Sequence, residues 1–304
     1  MKNSAGFLDL MLGASHIGAV LLPINYRLAA LEVAYIHDHA GVKLLLADEE
    51  LAELSEGLPN VRTINAAAQT DIRALAIGED RPDIVRRTGS NLYRLIYTSG
   101  TTDRPKGVIH SYDNFYWKAM DQSVALQQSA QDKLLVVGPM YHVGGIDLPG
   151  ISVLWMGGTL VIHRDFEPEA ALAAIQDEGI TGVWFAPVMT NMILNHPARS
   201  NYDVSSLKWC IGGGERTPES RIREFTEFFN QSRYIDAYGL TESVGGDTLM
   251  EAGMETEKIG STGRAILHVE IEIRDDDGRS LPPGIDGEIC LRGPKITEGY
   301  WRDP

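Results

Sequence analysis

The sequence predicts an α/β fold, in which helices cover the faces of a mainly parallel β-sheet. Helix-like and strand-like segments alternate along most of the chain. Hydrophobic residues make up 43% of the 304 residues, enough to fill one large core or two ordinary ones. After about residue 257 the pattern changes to short alternating strands. We therefore expect an α/β core over 1–257 and the start of an antiparallel β subdomain over 258–304.

The first clear elements are a helix over 28–40, stopped by Gly41, and a buried strand over 42–47. Residues 48–90 have no regular pattern. Asp113 can then cap a helix that runs to about residue 128.

The middle of the chain repeats strand and helix. Strands are predicted over 134–137, 159–162 and 181–185, with a helix from Pro168 to Gly179 between the last two. Pro187 begins the next helix. A further helix is introduced by a cap and a proline and has one apolar face: Thr217, Pro218, Ile222, Phe225 and Phe229.

The tail predicts a β-hairpin. Val269, Ile271 and Ile273 alternate with other residues before a turn at 275–278. After a second turn, at 282–284, the return strand holds Ile289 and Leu291, so these residues form antiparallel β structure.

Composition excludes several classes of protein. There are 42 acidic and 27 basic residues, a formal net charge of -15, and no long basic run, which argues against nucleic acid and anionic membranes as partners. Cys210 and Cys290 lie in short apolar runs, as buried thiols do in a reducing compartment. The apolar segments within 7–22 are interrupted by polar residues, so we expect no signal peptide or membrane span and a cytoplasmic location.

The segment 97–108 has the composition of a phosphate-binding loop. Hydroxyls and backbone N–H groups donate to phosphate oxygens, glycine permits close approach, and a lysine adds positive charge. It is not a Walker loop, because Pro105 replaces the second glycine and Gly107 the Ser or Thr. The candidate phosphate ligands are Thr98, Ser99, Gly100, Thr101, Thr102 and Lys106.

A second candidate nucleotide segment follows the strand at 234–235. Tyr238 can stack on a purine, Thr241 can donate to a phosphate, and Glu242 can hold a Mg²⁺ ion that bridges phosphate oxygens. The other members of this segment are Asp236, Ala237 and Gly239.

Two further loops follow strands. The glycines after the strand at 209–211 leave a bare backbone on which a flat ligand can lie: Gly212, Gly213 and Gly214, followed by Glu215. His142 stands after the strand at 134–137 and before two glycines, a position that favours a pocket wall over a packed core.

Together, the segments 97–108 and 236–242 resemble two motifs of the adenylate-forming superfamily, which includes acyl-CoA synthetases, luciferases and peptide-synthetase adenylation domains. The first departs from the family at Asp103, where glycine is usual. Tyr141-His142, Gly212–Gly214 and the glycines near 260, 287 and 299 also resemble family motifs. The resemblance implies two doubly wound β-sheets flanked by helices, and packing roles for Tyr300 and Trp301.

What the resemblance implies is an ATP-dependent acyl-CoA synthetase for fatty or other hydrophobic acids. Its substrates would be a small carboxylic acid, ATP and coenzyme A, with Mg²⁺ on Glu242. Catalysis would involve Thr98, Lys106, His142, Thr241 and Glu242. The family's ribose-binding Asp and C-terminal lid domain with its lysine have no counterpart in these residues, so we expect weak activity from this chain alone, and exposed apolar surface that permits a homodimer.

Two alternatives remain open. One is an aryl-acid or coumarate-type CoA ligase, because apolar residues such as Trp184 and Met189 suit several acids. The other is a non-catalytic module that binds nucleotide or acyl-adenylate without turnover. Carboxylate-dependent release of pyrophosphate separates the second from an enzyme.

Overall fold

The computed structural model describes residues 1–65, 81–98 and 104–303 and confirms the α/β class. Its helices are α1 Ala5–His16, α2 Ala30–Ala40, α3 Tyr112–Ala125, α4 Ser152–Trp155, α5 Pro168–Glu178, α6 Pro187–Leu194 and α7 Glu219–Phe228. Within these ranges, no helix is both long enough and apolar enough to cross a membrane.

The described strands are short, and most have four to six residues. They are β1 Leu45–Asp48, β2 Val61–Ile64, β3 Leu92–Thr98, β4 Lys106–Ser111, β5 Lys133–Val136, β6 Thr159–Ile162, β7 Gly182–Phe185, β8 Trp209–Gly212, β9 Arg233–Tyr238, β10 Thr248–Leu249, β11 Arg264–Ala265, β12 Glu270–Arg274 and β13 Glu288–Arg292.

One seven-stranded sheet dominates the described residues, in the order β11-β10-β9-β8-β7-β5-β6. Strands β6, β5, β7, β8 and β9 run parallel, whereas β10 and β11 are antiparallel at one edge. Three two-stranded pairs stand beside it: parallel β1-β2, antiparallel β3-β4 and antiparallel β12-β13. The carboxyl ends of the parallel strands share one edge, where ligands bind in open α/β sheets.

The large sheet is buried on both faces. In β5, Leu134 belongs to one hydrophobic cluster and Leu135 to the other, as alternation along a strand requires. The first cluster includes Phe7 of α1, and the second includes residues of α5, α6 and α7. Burial on both faces explains why these strands are continuous apolar runs in the sequence.

The tail hairpin has the predicted pairing. Ile271 lies opposite Leu291 and Ile273 opposite Ile289. Strand β11, by contrast, pairs with β10 and so extends the large sheet. The division at residue 257 stays a prediction.

The prediction of Asp113 as the cap of α3 is wrong. The cap is Ser111, whose Oγ accepts from the Asn114 N–H at 3.2 Å, while Asn114 Oδ1 accepts from the Ser111 N–H at 2.8 Å. This reciprocal capping box satisfies two backbone donors with one pair of side chains. Asp113 is left in the first turn, where its charge suits the helix dipole.

Thr217 was also expected to cap a helix and does not. Its hydroxyl lies 2.8 Å from the Tyr234 hydroxyl, in a buried contact between the start of α7 and β9. Pro218 takes the capping position instead, and α7 begins at Glu219. A buried phenol needs a hydrogen-bond partner, and Thr217 meets that need.

Phe225 of α7 is a direct test of this packing. It is fully buried, its ring stacks on Phe229 at 4.5 Å between centroids, and it meets Tyr234 at 5.1 Å. Phe225→Ala should lower the free energy of unfolding by about 3–5 kcal/mol, because it leaves a cavity. Phe225→Leu should cost less, and Val188→Ala, at an exposed site, should cost little. Urea unfolding measures all three, and equal losses for the two Phe225 variants would contradict the packing.

Candidate functional site

The glycine loop and the tyrosine segment are neighbours at the carboxyl edge of the sheet. In the parallel register of β8 and β9, Gly212 lies opposite Asp236. A Cβ on Gly212 would come within 2.0 Å of the Tyr234 hydroxyl, and one on Gly213 would lie 3.2 Å from the Ala237 carbonyl oxygen. Only glycine therefore fits at Gly212, and the two predicted segments are brought together.

The ends of these two loops reach the protein surface. Gly214 has a positive φ of 93° and is exposed, as is Glu215. Tyr238, the last residue of β9, is half-buried, and burial raises its pKa. The next residue, Gly239, packs against the backbone of Gly246, and a Cβ on Gly239 would lie 2.2 Å from the Gly246 nitrogen. A ring lying over the bare backbone near Gly214 would be within reach of this edge.

His142 lies in the loop that follows β5. Its Nδ1 accepts from the Gly144 N–H at 3.1 Å, which places the proton of the neutral ring on Nε2. Burial lowers the pKa of His142, so the ring is neutral at pH 7. Nε2 has no hydrogen-bond partner among the residues that the structure describes, and it is therefore a donor available to an anion.

Trp184 joins the histidine loop to the glycine loop. A Cβ on Gly144 would lie 3.1 Å from Trp184 Cζ2, and one on Gly214 would lie 3.9 Å from the same atom. On Gly138 it would lie 2.6 Å from Cζ3. The indole is thus enclosed by three glycines and forms a flat wall between His142 and the bare backbone.

Part of the predicted phosphate loop can be placed. Thr98 ends β3 and lies directly opposite Lys106, the first residue of β4. Ser99, Gly100, Thr101 and Thr102 lie outside the described residues, as does Asp103. The Lys106 ammonium is half-buried, 2.8 Å from the Asp303 carboxylate and 5.2 Å from the centre of the Tyr300 ring.

Glu242 also contacts Tyr300. It lies in a short 3₁₀ turn, Thr241–Ser243, and its Oε1 accepts from the Tyr300 hydroxyl at 3.0 Å. Tyr300 was expected only to pack, but its hydroxyl touches the predicted metal ligand. The Thr241 hydroxyl has no hydrogen-bond partner among the described residues, although Thr241 itself is buried.

A Mg²⁺ ion fits at Glu242 only when the phosphate oxygens of a bound nucleotide complete its coordination. In the described ranges no group of three or more His, Cys, Asp or Glu side chains could hold a metal ion. One carboxylate completed by phosphate oxygens and water is, however, the usual way in which Mg²⁺ binds at nucleotide sites. One oxygen of Glu242 remains without a described partner and could take that place.

A buried polar network fixes Thr241 from behind. Arg94 donates to both oxygens of Asp147, at 3.0 and 2.5 Å, and to His110 Nδ1 at 3.2 and 3.0 Å. His110 Nε2 therefore carries the proton and donates to the Thr241 carbonyl oxygen at 2.7 Å. Burial, with the adjacent Arg94 charge, lowers the pKa of His110 to about 3, so it remains a neutral donor.

Two buried lysines fix the rest of the turn. Lys118 donates to the Gly245 carbonyl at 2.7 Å, and Lys295 to the Gly245 and Gly246 carbonyls at 3.0 and 2.9 Å. Lys295 also forms a fully buried ion pair with Asp247 at 2.6 Å. Burial lowers the pKa of both lysines. Buried cations are stable only when paired and hydrogen-bonded, so their partners must stay in place.

No sequence motif pointed to these supporting residues. A signal for some of them was present, since Arg94 and His110 interrupt the apolar runs of β3 and β4. A charged residue on a strand that is otherwise buried requires a partner. Its partner cannot be read from one sequence, because Arg94 and Asp147 are 53 residues apart.

The AMP-binding enzyme family model matches residues 1–301. The chain is 29% identical over 302 residues to a feruloyl-CoA synthase of Amycolatopsis sp., covering 99% of this chain and 60% of the relative. It is 30% identical over 312 residues to the long-chain-fatty-acid–CoA ligase FadD13 of Mycobacterium tuberculosis, covering 100% of this chain and 61% of the relative.

Solved structures are similar throughout the chain. The inhibitor-bound N-terminal domain of FACL13 from Mycobacterium tuberculosis matches with a TM-score of 0.89 at 29% identity, over 99% of this chain and 76% of that one. An o-succinylbenzoate-CoA synthetase from Bacillus subtilis, bound to a product analogue, matches with a TM-score of 0.87 at 25% identity, over 99% of this chain and 60% of that one.

The Lys295–Asp247 pair can be tested by substitution. Asp247→Asn should lower the free energy of unfolding by about 3–5 kcal/mol, because it leaves a buried ammonium without its counter-ion. Asp277→Asn is the matched control, since it breaks the exposed Asp277–Arg279 pair and should change little. Urea unfolding is the measurement. An equal, small effect of both substitutions would contradict a stabilising role for the buried pair.

Asp236 should make stability depend on pH. Burial raises the pKa of its carboxyl to about 6. Between about pH 4 and 6 the folded protein therefore holds a proton that the unfolded chain has released. The free energy of unfolding falls across this range, and the stabilisation by the protonated carboxyl is lost as the pH rises through 6. Asp236→Asn removes the ionisable group. The free energy of unfolding of the variant minus that of wild type should therefore be more positive at pH 7.5 than at pH 4.5, by roughly 2–3 kcal/mol. A gain independent of pH in urea unfolding would contradict the raised pKa.

Proposed function

This chain belongs to the AMP-binding enzyme family, and from that premise we propose that it carries the adenylate-forming site of an ATP-dependent acid–CoA ligase. The chain spans about 60% of the length of the curated relatives that it matches. Those relatives include a feruloyl-CoA synthase and a long-chain-fatty-acid–CoA ligase. Their shared chemistry, the joining of a carboxylic acid to coenzyme A, supports the reaction class proposed here.

The reaction proposed has two steps. A carboxylate oxygen of the acid attacks the α-phosphorus of ATP, the bond from that phosphorus to the β-phosphate oxygen breaks, and pyrophosphate leaves. The sulfur of coenzyme A then attacks the carbonyl carbon of the acyl-adenylate, AMP leaves, and the thiol proton is released. No general base is needed in the first step, since a carboxylate is already ionised at neutral pH.

The observation that best supports the proposal is that the Lys106 ammonium and the Glu242 carboxylate both contact one side chain, Tyr300: the ammonium lies 5.2 Å from its ring centre, and the carboxylate accepts from its hydroxyl at 3.0 Å. A cation and a carboxylate that contact the same side chain suit a polyphosphate and its bound Mg²⁺. Lys106 would offset charge on the leaving pyrophosphate, and Glu242 would hold Mg²⁺. When bound, Mg²⁺ would neutralise phosphate charge.

The remaining site residues are assigned by their chemistry. Thr98 and the hydroxyl residues of 99–102 would donate to phosphate oxygens, and Thr241 to the α-phosphate. Tyr238 would stack on adenine beside Gly212–Gly214 and Glu215, with Asp236, Ala237 and Gly239 shaping the base pocket. His142 would donate from Nε2 to the carboxylate of the acid and orient it.

The acid is proposed to be hydrophobic, either a fatty acid or an aryl acid. Met189 is partly buried and packs against the hydrophobic cluster that contains Trp184, and such apolar side chains suit an acyl chain. The flat indole wall between His142 and Gly214 favours the second candidate, an aryl-acid ligase, because aromatic rings stack on indole.

Thr241→Ala tests the enzymatic proposal. Release of pyrophosphate that depends on both ATP and a carboxylic acid should fall by about two orders of magnitude, since one preorganised donor contributes on the order of 3 kcal/mol at the transition state. Thr226→Ala is the control, because that hydroxyl donates to the Ile222 carbonyl within α7. Unchanged release from Thr241→Ala would contradict the role of Thr241. Nucleotide binding without carboxylate-dependent release would indicate a non-catalytic binding module instead.

A further inference from the structure

Residues 297–303, called the strap here, run antiparallel to β4 and contact both Lys106 and Glu242. The Ile109 N–H donates to the Gly299 carbonyl at 3.2 Å, and the Trp301 N–H to the Gly107 carbonyl at 2.7 Å. The Thr297 hydroxyl donates to the Ile109 carbonyl at 2.6 Å. The strap is therefore held by backbone contacts along the strand that begins with Lys106.

The strap also contacts the turn that carries Glu242. The Thr297 N–H donates to the Glu242 carbonyl oxygen at 2.7 Å, and the Tyr300 hydroxyl donates to its carboxylate at 3.0 Å. One short segment thus fixes both the backbone and the side chain of the proposed metal ligand. Hydrogen bonds from neighbouring groups commonly orient metal-ligating carboxylates and tune their affinity.

Lys106 is held by the same segment. Its ammonium lies 2.8 Å from Asp303 and 5.2 Å from the centre of the Tyr300 ring. Both members of this ion pair are partly exposed, with side-chain exposures of 34% and 44%, so the pair is weak and an anionic ligand can displace it. Phosphate is a stronger competitor for the ammonium than one solvated carboxylate.

We propose that the strap is a positioning element for nucleotide binding, in which Tyr300 orients the Glu242 carboxylate toward a divalent cation and Asp303 occupies Lys106 until the triphosphate replaces it. This inference rests on the proposed function. Tyr300 acts through Glu242 and is a positioning residue. The two strap residues have opposite effects on ligand binding: Tyr300 favours the metal complex, whereas Asp303 competes with the phosphates.

The test uses Mn²⁺ in place of Mg²⁺ and an ATP analogue with a methylene bridge between the α- and β-phosphates, which blocks the bond that the proposed reaction breaks. Electron paramagnetic resonance measures the Mn²⁺ bound to the whole chain with this analogue, without any turnover. Tyr300→Phe keeps the ring and removes one hydroxyl, and it should weaken Mn²⁺ binding about tenfold. Tyr202→Phe removes an exposed hydroxyl that donates to Glu169 at 2.8 Å, and it should leave Mn²⁺ binding unchanged.

Asp303→Asn supplies the second arm of the test. It should tighten binding of the triphosphate analogue several-fold at low salt, with a smaller gain at high salt, because it frees the Lys106 ammonium. Equal Mn²⁺ affinity in wild type and Tyr300→Phe, or unchanged nucleotide affinity in Asp303→Asn, would overturn the inference. A lower unfolding temperature with unchanged Mn²⁺ affinity would assign Tyr300 a structural role and overturn it equally.

The wild-type chain separates this inference from the proposed function. If it binds no Mn²⁺ in the presence of the analogue, the proposed function is overturned and the inference falls with it. If the wild-type chain binds the complex and the Tyr300→Phe chain binds it equally well, the positioning role alone is overturned.

Discussion

The structure of the candidate site depends on two buried ammonium groups that hold one turn. Lys118 and Lys295 converge on the carbonyls of Gly245 and Gly246, and Lys295 is paired with Asp247 inside the protein. An ammonium group is costly to bury, so the oxygens that solvate it cannot move away without a large loss of stability. The same turn begins with Thr241 and Glu242. The positions of these two residues are therefore fixed by buried hydrogen bonds behind the turn.

The same principle operates on the other side of the turn. Arg94 and Asp147 form a buried ion pair. His110 accepts a hydrogen bond from Arg94 and donates one to the Thr241 carbonyl oxygen, so it connects that pair to Thr241. Because burial and Arg94 keep His110 neutral, it can accept on one nitrogen and donate on the other. In the pairing of β3 with β4, Arg94 lies opposite His110 toward one end, and Thr98 lies opposite Lys106 at the other end. A single hairpin thus links the support of Thr241 to the ends of the predicted phosphate loop.

Local patterns predicted much of the fold, and distant pairings explain the rest. Strand β6 occupies the predicted residues, and Gly41 and Gly179 end helices in the left-handed conformation, because these features depend on neighbouring residues. The predicted cap at Asp113 was wrong because the nearby Ser111 takes that position. The predicted cap at Thr217 was wrong because its hydroxyl is hydrogen-bonded to the distant Tyr234.

The candidate site was predictable only in part. Motifs predicted Lys106, His142, Thr241 and Glu242 as site residues, because the chemistry of phosphate and carboxylate limits the useful residue types. The role of Tyr300 was not visible, since it depends on a contact with a residue 58 positions away. The pairing of Lys295 with the Gly245 carbonyl spans 50 positions. A single sequence shows which residue types are present, but it does not show which residues far apart in the chain lie close together in space.

The most direct measurement is thermal unfolding of this chain with non-hydrolysable acyl-adenylate analogues that carry short, long and aromatic acyl groups. A ligand at about 100 times its dissociation constant stabilises the folded state by roughly 2.7 kcal/mol, which moves the unfolding temperature visibly. If this chain carries an adenylate site, acyl-adenylates of one acyl class should raise the unfolding temperature by more than AMP alone does. Cooperative unfolding with no shift from any analogue would contradict an adenylate site in this chain.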